Sequence, residues 1–195
     1  MKLVIATGNA GKLDEIRKII GGSDMEIVSA KDLGISLDVE ENGSSFRENA
    51  LIKAKACAKE VNEAVLADDS GLCIDALGGE PGIYSSRYLG EDTSYDIKNK
   101  DILRRMKDVP DGERSARFVC DVAVIFPDGR QIVTEGIMEG EIAHEICGEN
   151  GFGYDPVFYL SSYGKTSAEI APDEKNKISH RAKALAKMKD ELSLL

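Results

Sequence analysis

Hydrophobic positions along the chain switch between short continuous runs and helical spacings. Leu3-Val4-Ile5-Ala6 is a continuous apolar run, the pattern of a buried strand, and Thr7-Gly8-Asn9-Ala10-Gly11-Lys12 breaks it. Leu13, Ile16, Ile19 and Ile20 then recur at helical spacing until Gly21-Gly22. A strand, a glycine loop and a helix are predicted in that order. Glu26 to Ser29 reads as a second strand, followed by the acidic loop Asp38-Val39-Glu40-Glu41-Asn42-Gly43. Ser45-Phe46-Arg47-Glu48 has capping-box form, and Phe46, Ala50, Ala54, Cys57 and Val61 mark the buried stripe of a helix running to about Val61. Ala64 to Ala67 is apolar and Leu72 to Ile74 is apolar again; Asp68-Asp69-Ser70-Gly71 between them reads as a strand end and a tight turn. Asp92-Thr93 predicts the cap of a helix carrying Tyr95, Ile102, Leu103 and Met106, closed by the loop Pro110-Asp111-Gly112. Phe118 to Phe126 and Gln131 to Ile142 are two long β-runs joined by Pro127-Asp128-Gly129-Arg130, a hairpin signal. Near the end, Val157-Phe158-Tyr159 is apolar, and Ser179 stands where it can cap an amphipathic helix carrying Leu185, Met188 and Leu192. The pattern predicts an α/β fold around a mixed sheet. No repeat or linker interrupts it, so a single domain over residues 1–195 is expected.

Composition narrows the function classes. With 195 residues, 42% of them hydrophobic, the chain can bury one sizeable core. A formal net charge of −10 disfavours non-specific binding to nucleic acid or to an acidic membrane surface, so a polyphosphate ligand would need local positive charge. No apolar segment approaches the ~20 residues of a membrane span, and the first apolar run is too short for a signal peptide, which predicts a cytosolic protein. Cys57, Cys73, Cys120 and Cys147 lack a Cys-x-x-Cys spacing, so they read as small core residues.

Five stretches carry candidate chemistry. Adjacent carboxylates at Asp68 and Asp69 are costly to bury unless a cation or donors neutralise them, and oxygen ligands without His or Cys suit magnesium; the plainer alternative is a solvated Asx-type turn. At Thr7 to Lys12, backbone N–H groups at a helix N-terminus, two glycines and one lysine make a plausible phosphate cradle. The spacing is not that of a P-loop, and a steric reason for the glycines remains open. Lys53 falls seven residues after Phe46, close to the inward stripe, where a lysine needs a polar cleft; Glu41 precedes the same helix and could be a solvated acid. Gly151-Phe152-Gly153-Tyr154-Asp155-Pro156 sets aromatics on a glycine-bent loop that could stack on a flat base or, for Phe152, plug the core. If Ser179 caps the last helix, His180 and Arg181 fall in its first turn, where cations oppose the helix dipole, which suggests a ligand over a simple charged start.

Thr7-Gly8-Asn9-x-x-Lys12, Ala67-Asp68-Asp69-Ser70-Gly71-Leu72, Gly78-Gly79-x-Pro81-Gly82-Ile83-Tyr84-Ser85, Phe152-Gly153-Tyr154-Asp155-Pro156 and Glu174-Lys175-Asn176-x-x-Ser179-His180-Arg181, in this order, resemble the signature set of the inosine/xanthosine triphosphate pyrophosphatases. The resemblance covers essentially the whole chain. It implies a long mixed sheet flanked by helices, two lobes with the active cleft between them, and a homodimer. It also implies magnesium-dependent cleavage of ITP, dITP or XTP into a monophosphate and pyrophosphate. Carried over residue by residue, Thr7, Gly8, Asn9, Ala10, Gly11, Lys12 and Lys53 contact the triphosphate, Glu41 and Asp69 hold Mg2+, Asp69 is the general base, and Ser70 lies next to the substrate. Phe152, Gly153, Tyr154, Asp155, Lys175, His180 and Arg181 form the nucleotide and base-recognition set, and Asp68 is a supporting metal or water ligand. Two other readings stand beside this one: a pyrophosphatase for modified pyrimidine triphosphates, and a nucleotide-binding module without catalysis.

Overall fold

The computed structural model describes residues 1–21, 25–37 and 39–194. Gly22, the second half of the expected helix stop, and Asp38, the first residue of the expected acidic loop, lie outside them. Twelve regular elements follow one another: β1 (Lys2–Ile5), α1 (Ala10–Ile20), β2 (Glu26–Ser29), α2 (Phe46–Ala58), β3 (Ala64–Ile74), α3 (Tyr95–Arg105), β4 (Ser115–Ile125), β5 (Gln131–Ile142), β6 (Phe158–Leu160), β7 (Lys165–Thr166), α4 (Pro172–Ile178) and α5 (His180–Ser193). The strands form one seven-stranded sheet in the order β2-β1-β3-β4-β5-β6-β7. β1 runs parallel to β2 and to β3, whereas β5, β6 and β7 pair antiparallel, so the sheet is mixed as the pattern predicts. No described helix is long and apolar enough to cross a membrane.

The chain divides into two compact units. The first comprises Met1–Ser70, Cys120–Gly136 and His180–Leu195, and its strands bury both faces. On one face Leu3, Ile5, Ala64, Leu66, Cys120 and Val122 pack with Ile16, Ile20, Leu185 and Met188 of α1 and α5. On the other, Val4, Ala6, Val65, Ala67 and Ala123 pack with Ala50, Ala54 and Cys57 of α2. Strand alternation makes this two-sided burial possible, since successive side chains point to opposite faces. α5 lies close against β5: a Cβ on Gly136 would stand 2.1 Å from the His180 carbonyl oxygen. The second unit, Gly71–Val119 and Ile137–Ser179, is built on one core that includes Leu72, Ile74, Ile102, Met106, Phe118, Met138, Tyr154 and Phe158.

Several local readings need correction. Asp68 to Gly71 is not a turn: β3 continues unbroken from Ala64 to Ile74, and both carboxylates stand in mid-strand. The cap of α3 is Ser94, whose side chain accepts from the Ile97 N–H, rather than Asp92 or Thr93. α2 stops at Ala58, and the capping box at its start is only half formed. Ser45 accepts from the Glu48 N–H, but the Glu48 carboxylate turns to the N–H and hydroxyl of Ser44 at 2.6 and 2.7 Å. Cys57 and Cys120 are buried core residues, while Cys73 and Cys147 are only partly covered.

Candidate active site

Because Asp68 and Asp69 are consecutive strand residues, their side chains leave opposite faces of the sheet. The pair expected to act together is thus split into two centres, each with its own cations.

Asp68 shares the face packed by α1 and α5. Lys12, in the first turns of α1, places its Nζ 2.9 Å from Asp68 Oδ2. Arg181, at the start of α5, places Nε 3.3 Å from the same oxygen, Nη1 2.6 Å from Glu15 Oε2 and Nη2 3.3 Å from Ser70 Oγ. The Ser70 hydroxyl in turn donates to Asp68 Oδ2 at 3.0 Å. Burial by itself would raise the Asp68 pKa, yet Lys12, Arg181 and Lys53 hold it far below the usual carboxylate range. The same network raises that of Arg181 despite burial, through Asp68, Cys120 and Glu15. Arg181 is only 3% exposed, so the cation that the sequence would offer to a base is largely committed to carboxylates. Asp68 Oδ1 is buried and has no hydrogen-bond partner among the described residues, which leaves one acceptor for water or substrate.

Asp69 shares the face packed by α2. Lys53 sits two helical turns into α2, as its place near the inward stripe anticipates, and its Nζ lies 3.1 Å from Asp69 Oδ1 and 3.2 Å from Glu41 Oε1. The Asn49 side chain, one turn earlier, reaches Asp69 Oδ2 at 3.3 Å. Burial, opposed by Lys53 and reinforced by Glu41, raises the Asp69 pKa, the direction opposite to that of Asp68. Burial would lower the Lys53 pKa, but Asp69, Asp68 and Glu41 raise it, so the ammonium stays charged. Two carboxylates therefore converge on one cation. Magnesium fits that donor set, since hard carboxylate oxygens are all it contains. Among the described residues no three His, Cys, Asp or Glu side chains gather around a common point, so water and phosphate oxygens would have to complete a magnesium shell, which is how this ion is commonly held.

Residues Ala6 to Asn9 join β1 to α1, whose first turn carries Ala10, Gly11 and Lys12. Asn9 caps the helix, accepting from the Lys12 N–H at 3.2 Å, and Thr7 Oγ1 accepts from the Asn9 N–H at 3.2 Å. Gly8, Asn9, Ala10 and Gly11 are exposed, and a Cβ on Gly8 would meet nothing within 4 Å, so the backbone is open to a ligand.

The second unit gathers Phe152, Gly153, Tyr154, Asp155 and Lys175. Asp155 and Lys175 form a buried ion pair, Nζ to Oδ2 2.6 Å, and the same oxygen accepts from the Phe152 N–H at 2.8 Å. A Cβ on Gly151 would stand 2.2 Å from it, so only glycine fits there. Phe152 does not plug the core: it is 41% exposed with Lys175 Nζ 5.1 Å from its ring centre, and Tyr154 takes the core position, donating to the Ser85 carbonyl at 2.7 Å. Ser179 lies between α4 and α5, so His180 and Arg181 do open the last helix, with the His180 side chain buried.

Asn49, Glu15 and Asp121 were not singled out from the sequence. Asn49 lies three residues after Phe46, on the stripe expected to be inward, so an amide there was a legible anomaly; Glu15 lies one turn beyond Lys12 on the same helix face. Asp121 stands on β4, on the face of Asp69, in a run that otherwise reads as apolar core.

A seven-stranded α/β fold with acid–base centres on both sides of one strand defines the class. The chain belongs to the Ham1 family, whose profile matches residues 3–191. It is 49% identical over 191 residues to the dITP/XTP pyrophosphatase of Geobacillus kaustophilus (97% of this chain, 93% of that one) and 46% identical over 191 residues to that of Caldanaerobacter subterraneus (97% and 95%). Among solved structures it is similar to a HAM1 protein from Coxiella burnetii, with TM-score 0.93, 39% identity and all of both chains covered. It also resembles the Ham1 protein of Staphylococcus aureus, with TM-score 0.90, 41% identity and 99% and 98% covered.

Proposed function

We propose that the protein hydrolyses non-standard purine nucleoside triphosphates, ITP, dITP and XTP, to the monophosphate and pyrophosphate in a magnesium-dependent reaction, and so removes them from the nucleotide pool. The observation that carries this reading is the convergence of Glu41 and Asp69 on a single cation position. Relatives at 46% and 49% identity carry the name dITP/XTP pyrophosphatase.

In this proposal Glu41 and Asp69 hold Mg2+, which when bound would offset the charge of a triphosphate and stabilise the charge that develops as the anhydride breaks. The exposed backbone of Gly8 to Gly11, with Thr7, Lys12 and Lys53, binds the phosphates. Asp69 takes the proton of the attacking water as its oxygen bonds to phosphorus and the bridging P–O bond of the α–β anhydride breaks; the monophosphate and pyrophosphate leave. Asp68, tied to Lys12, Arg181 and Ser70, orients those groups, which leaves Asp69 on the opposite face as the base. Phe152, with its exposed ring, stacks on the base; Gly153, Tyr154, Asp155, Lys175 and His180 complete the nucleotide-recognition set, and Arg181, committed to Asp68 and Glu15, supports it from behind. A 6-keto oxygen accepts from an N–H donor there, while the amino group of adenine would leave both donors unpaired. One domain over residues 1–195, a homodimer and a cytosolic location belong to the same proposal.

The test is kcat/KM for ITP, dITP, XTP, ATP, GTP and a modified pyrimidine triphosphate at equal magnesium. Preference for the 6-keto, non-standard purines supports the reading; preference for the pyrimidine overturns it.

A further inference from the structure

Asn49 is 0% exposed, so both ends of its amide must find partners. They do, and the partners belong to two separate parts of the same centre. Oδ1 accepts from the Gly43 N–H at 2.9 Å, on the loop that carries Glu41, and Nδ2 donates to Asp69 Oδ2 at 3.3 Å, in mid-strand of β3. Gly43 can approach only because it lacks a side chain: a Cβ there would stand 2.7 Å from Asn49 Oδ1, 2.7 Å from Glu48 Cβ and 3.1 Å from the Asn49 nitrogen. The loop is thereby pinned to the helix two residues after Glu41. Lys53, one turn along α2, binds Glu41 and Asp69 through its ammonium, but a lysine is a flexible tether that a second cation can displace. The amide, fixed on both sides and uncharged, stays in place.

We propose that Asn49 is a positioning residue that sets the separation of Glu41 and Asp69, holding the acidic loop and the strand carboxylate in register before any cation arrives. The inference rests on the reading of those two carboxylates as magnesium ligands. An outer partner of this kind is commonly worth about 10- to 100-fold in metal affinity.

The experiment compares wild type with Asn49→Leu, which keeps the heavy-atom count and branching and removes both hydrogen bonds, and with Gly43→Ala, which pushes the loop off Asn49 from the partly exposed side. Amide hydrogen exchange is followed over residues 39–45 without metal, and the magnesium concentration for half-maximal ITP hydrolysis is measured at a temperature where circular dichroism shows each variant folded. The expected result is faster exchange of the amide at position 43 in both variants and a magnesium midpoint raised about 10- to 100-fold, with KM for ITP at saturating magnesium near the wild-type value. A lowered melting temperature with an unchanged midpoint in either folded variant reduces Asn49 to a structural role and overturns the inference. Should Asn49→Leu fail to fold, Gly43→Ala decides alone. Should wild type fail to hydrolyse ITP, the proposed function falls, and the inference is then decided by exchange and by Mn2+ binding to the nucleotide-free protein, where unchanged values in the variants overturn it.

Discussion

Two neighbouring residues show how much one step along a strand can change a carboxylate. Asp68 and Asp69 share a sequence neighbourhood, yet one is held strongly ionised by Lys12 and Arg181 while the other is pushed toward protonation by burial and Glu41. Asp69→Asn should therefore keep the fold and lose about 10²- to 10⁴-fold in kcat, the usual range for a general base, read by steady-state kinetics beside an unchanged circular dichroism spectrum. Arg181→Ala should act mainly on stability, because it strips a buried cation from Asp68 and Glu15; a loss of about 3–5 kcal/mol is expected in denaturant unfolding, with Lys12 favouring the lower end. Asp121 adds a pH signature. Burial and Glu135, against Arg47, push its pKa up to about 6. Since folding raises the value from about 3.9 in the unfolded chain, the folded state has its full advantage below that pH and loses it as pH rises through about 6. Asp121→Asn should consequently stabilise at pH 7, by about 1–2 kcal/mol after allowing for solvent screening, and change little at pH 4, as measured by urea midpoints at both values. The candidate site was legible at this scale wherever residue type carries chemistry, as at Lys12, Glu41, Lys53 and Asp69. It was not legible where chemistry depends on a partner: the commitment of Arg181 to Glu15 spans 166 positions, and nothing local announces it.

At the scale of elements, periodicity located β1, β2 and β5 closely, because each has one pattern with one reading. β3 is the instructive failure. Two aspartates, a serine and a glycine favour a turn by local propensity, and tertiary context overrides that preference: each carboxylate meets cations from helices on its own face, so the strand can run on through Gly71. The packing of α5 on β5 is a contact of the same kind, invisible in the sequence beyond a glycine in a strand. Gly136→Ala would set a methyl group 2.1 Å from the His180 carbonyl oxygen and 2.5 Å from the Ala184 nitrogen, both backbone atoms. Overpacking of this sort costs about 1–3 kcal/mol and here at least that much, since neither atom can turn aside; a lowered denaturant midpoint is the expected readout.

For the whole molecule, the net charge of −10 and the acidic centre pose one question: how the chain accommodates a ligand that brings roughly four negative charges of its own. In the proposed function positive charge is concentrated where such a ligand needs it, at Lys12, Lys53 and the cation that Glu41 and Asp69 would bind. The most direct test is to separate the products formed from ITP with and without magnesium. Equal amounts of the monophosphate and pyrophosphate, formed only with magnesium and not from ATP at a comparable rate, are predicted. Formation of the diphosphate and inorganic phosphate, or cleavage undiminished by removal of magnesium, would contradict the account.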